Sequence, residues 1–212
     1  MEQQFPFQSS PLPYSYVALM PHCDANTLYY HHDKYYAESV YELNRLVVQH
    51  RLTDQSLSQL ATAEYNLPAA QGRRLQSAAG SVFNHNLYFN GLSCKAGSPP
   101  FNRLTEEITS TYGSMEEFRR LMIEAAESII GSGWVWLVAE GNKGIHISTT
   151  INNEVVPLNF VTPVLIADLW EHAYLSQDHF NKPEYMRTWF SLIDWGKAEE
   201  RYLSALGAGA VG

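Results

Sequence analysis

The stretch I-A-D-L-W-E-H-A-Y, residues 166–174, closes a run rich in β-branched side chains, F-V-T-P-V-L-I-A-D (160–168), and passes straight into a cluster of aromatics. β-Branched residues suit the pleated, half-buried surface of a sheet, so the run predicts a strand. Asp168 and His172 stand four residues apart just beyond its apolar part. A charge in such company is costly unless something pairs with it. Two readings are open. In one, the two side chains form an i,i+4 ion pair on an exposed helix face, worth ~0.2–0.5 kcal/mol. In the other, they offer one oxygen and one nitrogen to a metal, with further imidazoles supplied by other elements.

Upstream, W-V-W-L-V-A (134–139), the turn E-G-N-K-G and I-H-I-S-T-T (145–150) predict a β-hairpin. Ser114 followed by Glu117 has the form of a capping box and opens a helix to about residue 130, where Gly131 and Gly133 break it. Pro183 suits the first turn of a final helix running to about residue 203. The first half reads differently. Leu28, His31, Tyr35, Ala37, Val40, Leu43 and Val47 recur at three- and four-residue steps, which predicts one long amphipathic helix over 24–49 with Asp24 or Asn26 as N-cap. Further helices are expected over 53–63 and 68–90. The segment S-C-K-A-G-S-P-P-F-N (93–102) concentrates Gly, Ser and Pro as a linker does. An all-helical first half joined to an α+β second half with a small antiparallel sheet is the outline, divided as residues 1–95 and 96–212. The tail G-A-G-A-V-G is expected to fray.

With 212 residues the chain is long enough to bury a real core. Its net charge of −8 supplies no basic field for a phosphate backbone or an anionic membrane surface, so neither nucleic acid nor membrane is expected as a partner. The two cysteines, Cys23 and Cys94, are too few for a disulfide framework and read as thiols. No basic, apolar leader opens the sequence, and the expectation is a soluble cytoplasmic protein.

Eight histidines are present, at 22, 31, 32, 50, 85, 146, 172 and 179. His85 is the natural third ligand beside Asp168 and His172, because V-F-N-H-N-L-Y-F-N gives it little polar company. A histidine from Y-H-H-D-K-Y-Y-A-E-S-V (30–40) would be the fourth.

Together, D-L-W-E-H-A-Y, G-S-G-W-V-W-L-V (131–138), F-N-H-N-L-Y-F-N and L-P-Y (12–14) before P-H-C-D-A-N-T-L-Y-Y-H-H resemble the iron/manganese superoxide dismutases, from about residue 12 to 206 and in the family's order. The resemblance implies an α+β fold: an N-terminal long α-helical hairpin domain and a C-terminal α/β domain with a three-stranded antiparallel sheet, Asp168 lying at a strand end. It implies His31, His85, Asp168 and His172 as metal ligands, with solvent as a fifth, and His32 as a neighbour that does not ligate. It further implies one manganese or iron ion per subunit, superoxide as substrate, and a homodimer in which Glu171 bonds a ligand histidine of the partner. Trp134, Trp136 and Trp170 match aromatics that enclose the site. Lys182 falls where the family often has a cation in the substrate funnel.

Around these ligands the chain departs from the family pattern. Tyr35 replaces a histidine, Ser39 replaces an active-site tyrosine, and Leu175 replaces the tyrosine after H-A-Y. The amide that contacts the metal-bound solvent is absent at Ser81, which leaves Asn152 or Asn153 near the hairpin; that is the manganese-type placement and favours manganese. Two functions stay open: a dismutase with altered surroundings, or a metal-holding protein of the same fold with a structural or different redox role.

Overall fold

The structure, a computed structural model, describes residues 3–95, 97, 99–174 and 181–208. Leu175, His179 and the last four residues of the tail lie outside them. Asp24 caps the first helix, its Oδ1 accepting from the backbone N–H of Asn26 and Thr27 at 2.9 Å each. Helix α1 (Ala25–Tyr29) then widens into a π-helical segment, Tyr30–Tyr36, before α2 (Ala37–His50) resumes ordinary pitch and ends at Arg51 in the left-handed region, φ 58°. The helix expected over 24–49 is therefore continuous but not regular. A π turn shifts the phase of every residue after it. The consequence is visible at once: Tyr35, expected on the apolar face, is 54% exposed, whereas Tyr36 is fully buried.

Helix α3 (Leu57–Thr62) opens with a Ser56–Gln59 capping box, and α4 (Ala69–Asn90) packs back on α2 to form a helical hairpin. Helix α5 (Arg103–Tyr112), not foreseen from the sequence, starts at the end of the expected linker with Asn102 as its cap. Its first N–H groups also reach across to Glu199, whose carboxylate accepts from Arg103 and Leu104 at 3.2 and 2.8 Å. Ser114 caps α6 (Met115–Ser128) by accepting from the Glu117 N–H at 3.0 Å.

Strands β1 (Gly133–Ala139), β2 (Ile145–Ile151) and β3 (Thr162–Asp168) form an antiparallel sheet in the order β2-β1-β3. The fold is α+β as expected. Every residue of β1 is buried, as a central strand covered on both faces must be. Pro163 sits on the edge strand at a register shift opposite Leu137 and Val138, where its missing N–H disturbs the ladder least. The pairing places Asp168 opposite Trp134 at the sheet end.

A one-turn helix, α7 (Glu171–Tyr174), follows, and then α8 (Lys182–Phe190) and α9 (Trp195–Ala208). The single last helix expected from Pro183 is thus two. The break has a cause in the backbone: Leu192 and Asp194 bond to the chain just after α4, Ser93 N–H to Leu192 O and Asp194 N–H to Gly91 O, both at 2.8 Å. Those groups are spent on fastening the two halves of the chain instead of continuing a helix.

Candidate metal centre

Four elements converge on one point. His31 comes from the π segment, His85 from α4, Asp168 from the end of β3 and His172 from α7. One ligand-capable atom from each lies within 4.8 Å of the other three. Asp168 Oδ2 is 3.0 Å from His31 Nε2, 3.5 Å from His172 Nε2 and 3.6 Å from His85 Nε2. Its other oxygen is already occupied, accepting from the Trp170 backbone N–H at 2.8 Å. This settles how Asp168 and His172 are related: both point inward, so they are not an exposed helical ion pair.

These four atoms are buried and have no hydrogen-bond partner among the described residues. Buried polar atoms are nearly always satisfied, and four orphans facing one another are unstable without something between them. Protonation does not solve it. Burial first, then the neighbouring His172, pushes His31 down to about 3, and burial likewise pushes His85 down to about 4. Burial alone raises the Asp168 carboxyl, yet the imidazoles of His172 and His31 outweigh it and hold the group below the ordinary carboxylate range. Three imidazoles and one carboxylate form a donor set that fits a divalent or trivalent first-row metal.

The surroundings orient the donors. His85 Nδ1–H donates to the Ser81 carbonyl at 2.7 Å, which fixes the tautomer that leaves Nε2 with its lone pair directed inward. Trp134 meets His85 edge-on at 5.0 Å between ring centres, while Tyr35 and Trp170 lie nearly parallel to His172 at 4.8 and 5.8 Å. Trp136 is buried on the same face of β1 as Trp134, its indole N–H on the Thr150 hydroxyl at 3.0 Å. His32 turns elsewhere: its Nε2 is 2.8 Å from the Ser10 carbonyl, and its ring packs on Tyr36 and Phe89. Tyr36, not singled out from the sequence, lies parallel to His85 at 5.7 Å and links Ser10 to Asn86 through its hydroxyl.

The alpha-hairpin-domain model of the iron/manganese superoxide dismutases matches residues 6–93, and the C-terminal-domain model of the same family matches residues 100–201. The chain is 33% identical over 199 residues to "Superoxide dismutase [Mn/Fe] 2" of Staphylococcus aureus strain N315, covering 94% of this chain and 98% of that protein. The proteins of the same name from strains MW2 and COL match to the same extent. The chain belongs to the iron/manganese superoxide dismutases.

Within that family frame, an open cavity of about 620 Å³ leads to the convergence point, lined by Tyr35, Glu38, Ser39, Ser81, His85, Asn153, Trp170, Glu171 and His172. Two expected residues are placed differently. Lys182 is not a cation in this cavity; its ammonium donates to the carbonyls of Ile129 at 2.6 Å and Gly131 at 3.0 Å, tying the start of α8 to the end of α6. Asn152 is exposed with φ 50°, its backbone N–H donating to the Ser132 carbonyl at 2.9 Å and its own carbonyl accepting from the Trp170 indole N–H at 3.2 Å. The adjacent Asn153 lines the cavity, its side-chain amide donating to the Ser77 hydroxyl at 3.3 Å. Gly80 makes that possible, since a Cβ there would lie 2.0 Å from the Asn153 carbonyl oxygen. Glu171 stands at the mouth, held by the Ser132 hydroxyl at 2.8 Å.

Proposed function

We propose that this chain disproportionates superoxide to oxygen and hydrogen peroxide at one manganese or iron ion per subunit, held by His31, His85, Asp168 and His172. The observation that carries the reading is the convergence of four orphaned, buried donor atoms in a chain of this family. When bound, the metal supplies one-electron redox chemistry between its divalent and trivalent states, so that one superoxide loses an electron and a second gains one.

The protein's own contribution is positional and electrostatic. Three imidazoles and a single carboxylate do not cancel the charge of a metal cation, and the residual positive charge attracts an anion. The buried walls of Trp134, Phe89 and Tyr88 keep bulk water from the donors and strengthen that attraction. Reduction of superoxide to peroxide consumes two protons, and the hydroxyl-bearing residues Tyr35, Ser39 and Ser81 line the cavity. Asn153, arriving from beyond β2 at the wall beside His85, supports manganese as the working metal. Glu171, fixed at the mouth by Ser132, supports a homodimer in which its free oxygen meets the partner. A division at residues 1–95 and 96–212 is supported by the gap between the two family matches. No described helix is long and apolar enough to cross a membrane, and we place the protein in the cytoplasm on its low cysteine count.

A second reading, a metal-holding protein of this fold with slow or different redox chemistry, is favoured by one observation. The charged side chains besides histidine that line the cavity are Glu38 and Glu171, with Lys182 engaged elsewhere. Reconstitution with manganese and iron separately, followed by a superoxide assay, distinguishes the two readings.

A further inference from the structure

Ser39 and Ser81 stand where two larger side chains are expected, and they meet. Ser39 is one turn beyond Tyr35, Ser81 is one turn before His85, and their hydroxyl oxygens are 2.8 Å apart. Ser81 Oγ is also 3.3 Å from His85 Nδ1, and the Ser39 hydroxyl donates to the Tyr35 carbonyl at 3.1 Å. The proton order follows from the partners. His85 Nδ1 carries its hydrogen and gives it to the Ser81 carbonyl, so the Ser81 hydroxyl is left to donate to Ser39, and Ser39 to the Tyr35 carbonyl. Each donor then has one acceptor, and the Ser81 oxygen turns its lone pairs to the His85 N–H.

We propose, resting on the reading that a metal is held here, that Ser39 and Ser81 are positioning residues. They act on the metal through the far nitrogen of His85 and so tune how readily it changes oxidation state. Both line the cavity beside His85. In the resemblance drawn above, an amide contacts the metal-bound solvent. Here, the hydroxyl pair polarises the His85 N–H from behind, and an imidazole whose N–H is better accepted is a stronger donor at its other nitrogen. The pair acts as a unit, because without Ser39 the Ser81 hydroxyl loses its acceptor and is free to turn towards His85.

The test uses full-length manganese-loaded protein with metal content measured on every sample. The variants are Ser81→Ala, Ser39→Ala, the double variant, and Ser81→Thr, which keeps the hydroxyl. A single neutral hydrogen bond sets the scale, so Ser81→Ala is expected to change the redox equilibrium constant roughly tenfold at most, ~59 mV for a one-electron couple. Ser39→Ala should also shift the potential, the double variant should match Ser81→Ala instead of the sum, and Ser81→Thr should stay near the parent. Unchanged potentials, additive shifts, or a Ser81→Thr shift as large as that of Ser81→Ala would overturn the proposal while leaving metal binding intact. A parent protein that takes up no metal would overturn both this proposal and the functional reading beneath it.

Discussion

His31 and His32 are both buried in the same turn, yet only His31 turns its ring towards Asp168, while His32 bonds to the Ser10 carbonyl. Replacing them should separate two effects. His31→Ala is expected to lose most of the bound metal, whereas His32→Ala should keep the metal and lose ~1–3 kcal/mol of stability through its buried hydrogen bond. Metal analysis and urea unfolding of both variants check this, and equal metal loss would contradict it. The lowered values of His31 and His85 carry a second expectation, for the metal-free protein. The unfolded chain takes up these protons as the pH falls through about 6.5, but the folded chain resists until about 4 and below. Stability is therefore complete above pH 6.5 and lost as the pH drops, by up to ~1.4 kcal/mol per histidine per pH unit. A flat unfolding midpoint between pH 7 and 5 would count against it. The four convergent residues were legible in the sequence because metal ligation demands particular side chains in a recognisable block. Lys182 was not, since nothing in its neighbours signals that two carbonyls just beyond the end of α6 will claim the ammonium.

Helices and strands follow their local chemistry closely, and the exceptions are instructive. The hairpin, β3 and α4 were readable from periodicity and turn residues. The π segment was not, because one extra residue in a turn leaves the spacing of apolar residues almost intact while exchanging Tyr35 for Tyr36 in the core. Nor was the break between α8 and α9, which is made by pairing with residues about a hundred positions earlier in the chain. Two glycines of α4 test its packing. Gly80→Ala drives a Cβ into the Asn153 carbonyl and should cost ~1–3 kcal/mol. Gly72→Ala meets nothing within 4 Å and should gain ~0.5–1 kcal/mol from helix propensity. Urea unfolding of the pair checks both signs. Lys182→Met should also destabilise, by ~1–2 kcal/mol for two lost carbonyl contacts. Its dismutation rate should keep the parent's dependence on ionic strength, because the ammonium lies outside the cavity lining.

As a whole, the molecule is two halves of the chain closed over one core, with the metal centre where the helical hairpin meets the sheet end. That placement explains why neither half builds the site alone: His31 and His85 belong to one, and Asp168 and His172 to the other. It also sets the electrostatic problem. A chain of net charge −8 must admit an anion through a mouth bearing Glu38 and Glu171, so attraction has to come from the metal itself. The most direct measurement is the superoxide disproportionation rate of protein reconstituted separately with manganese and with iron, metal content being determined on the same samples. The manganese form is expected to exceed the free manganese ion per metal by a wide margin; if neither form outpaces its free ion, the chain holds the fold and the metal site of a dismutase without the activity.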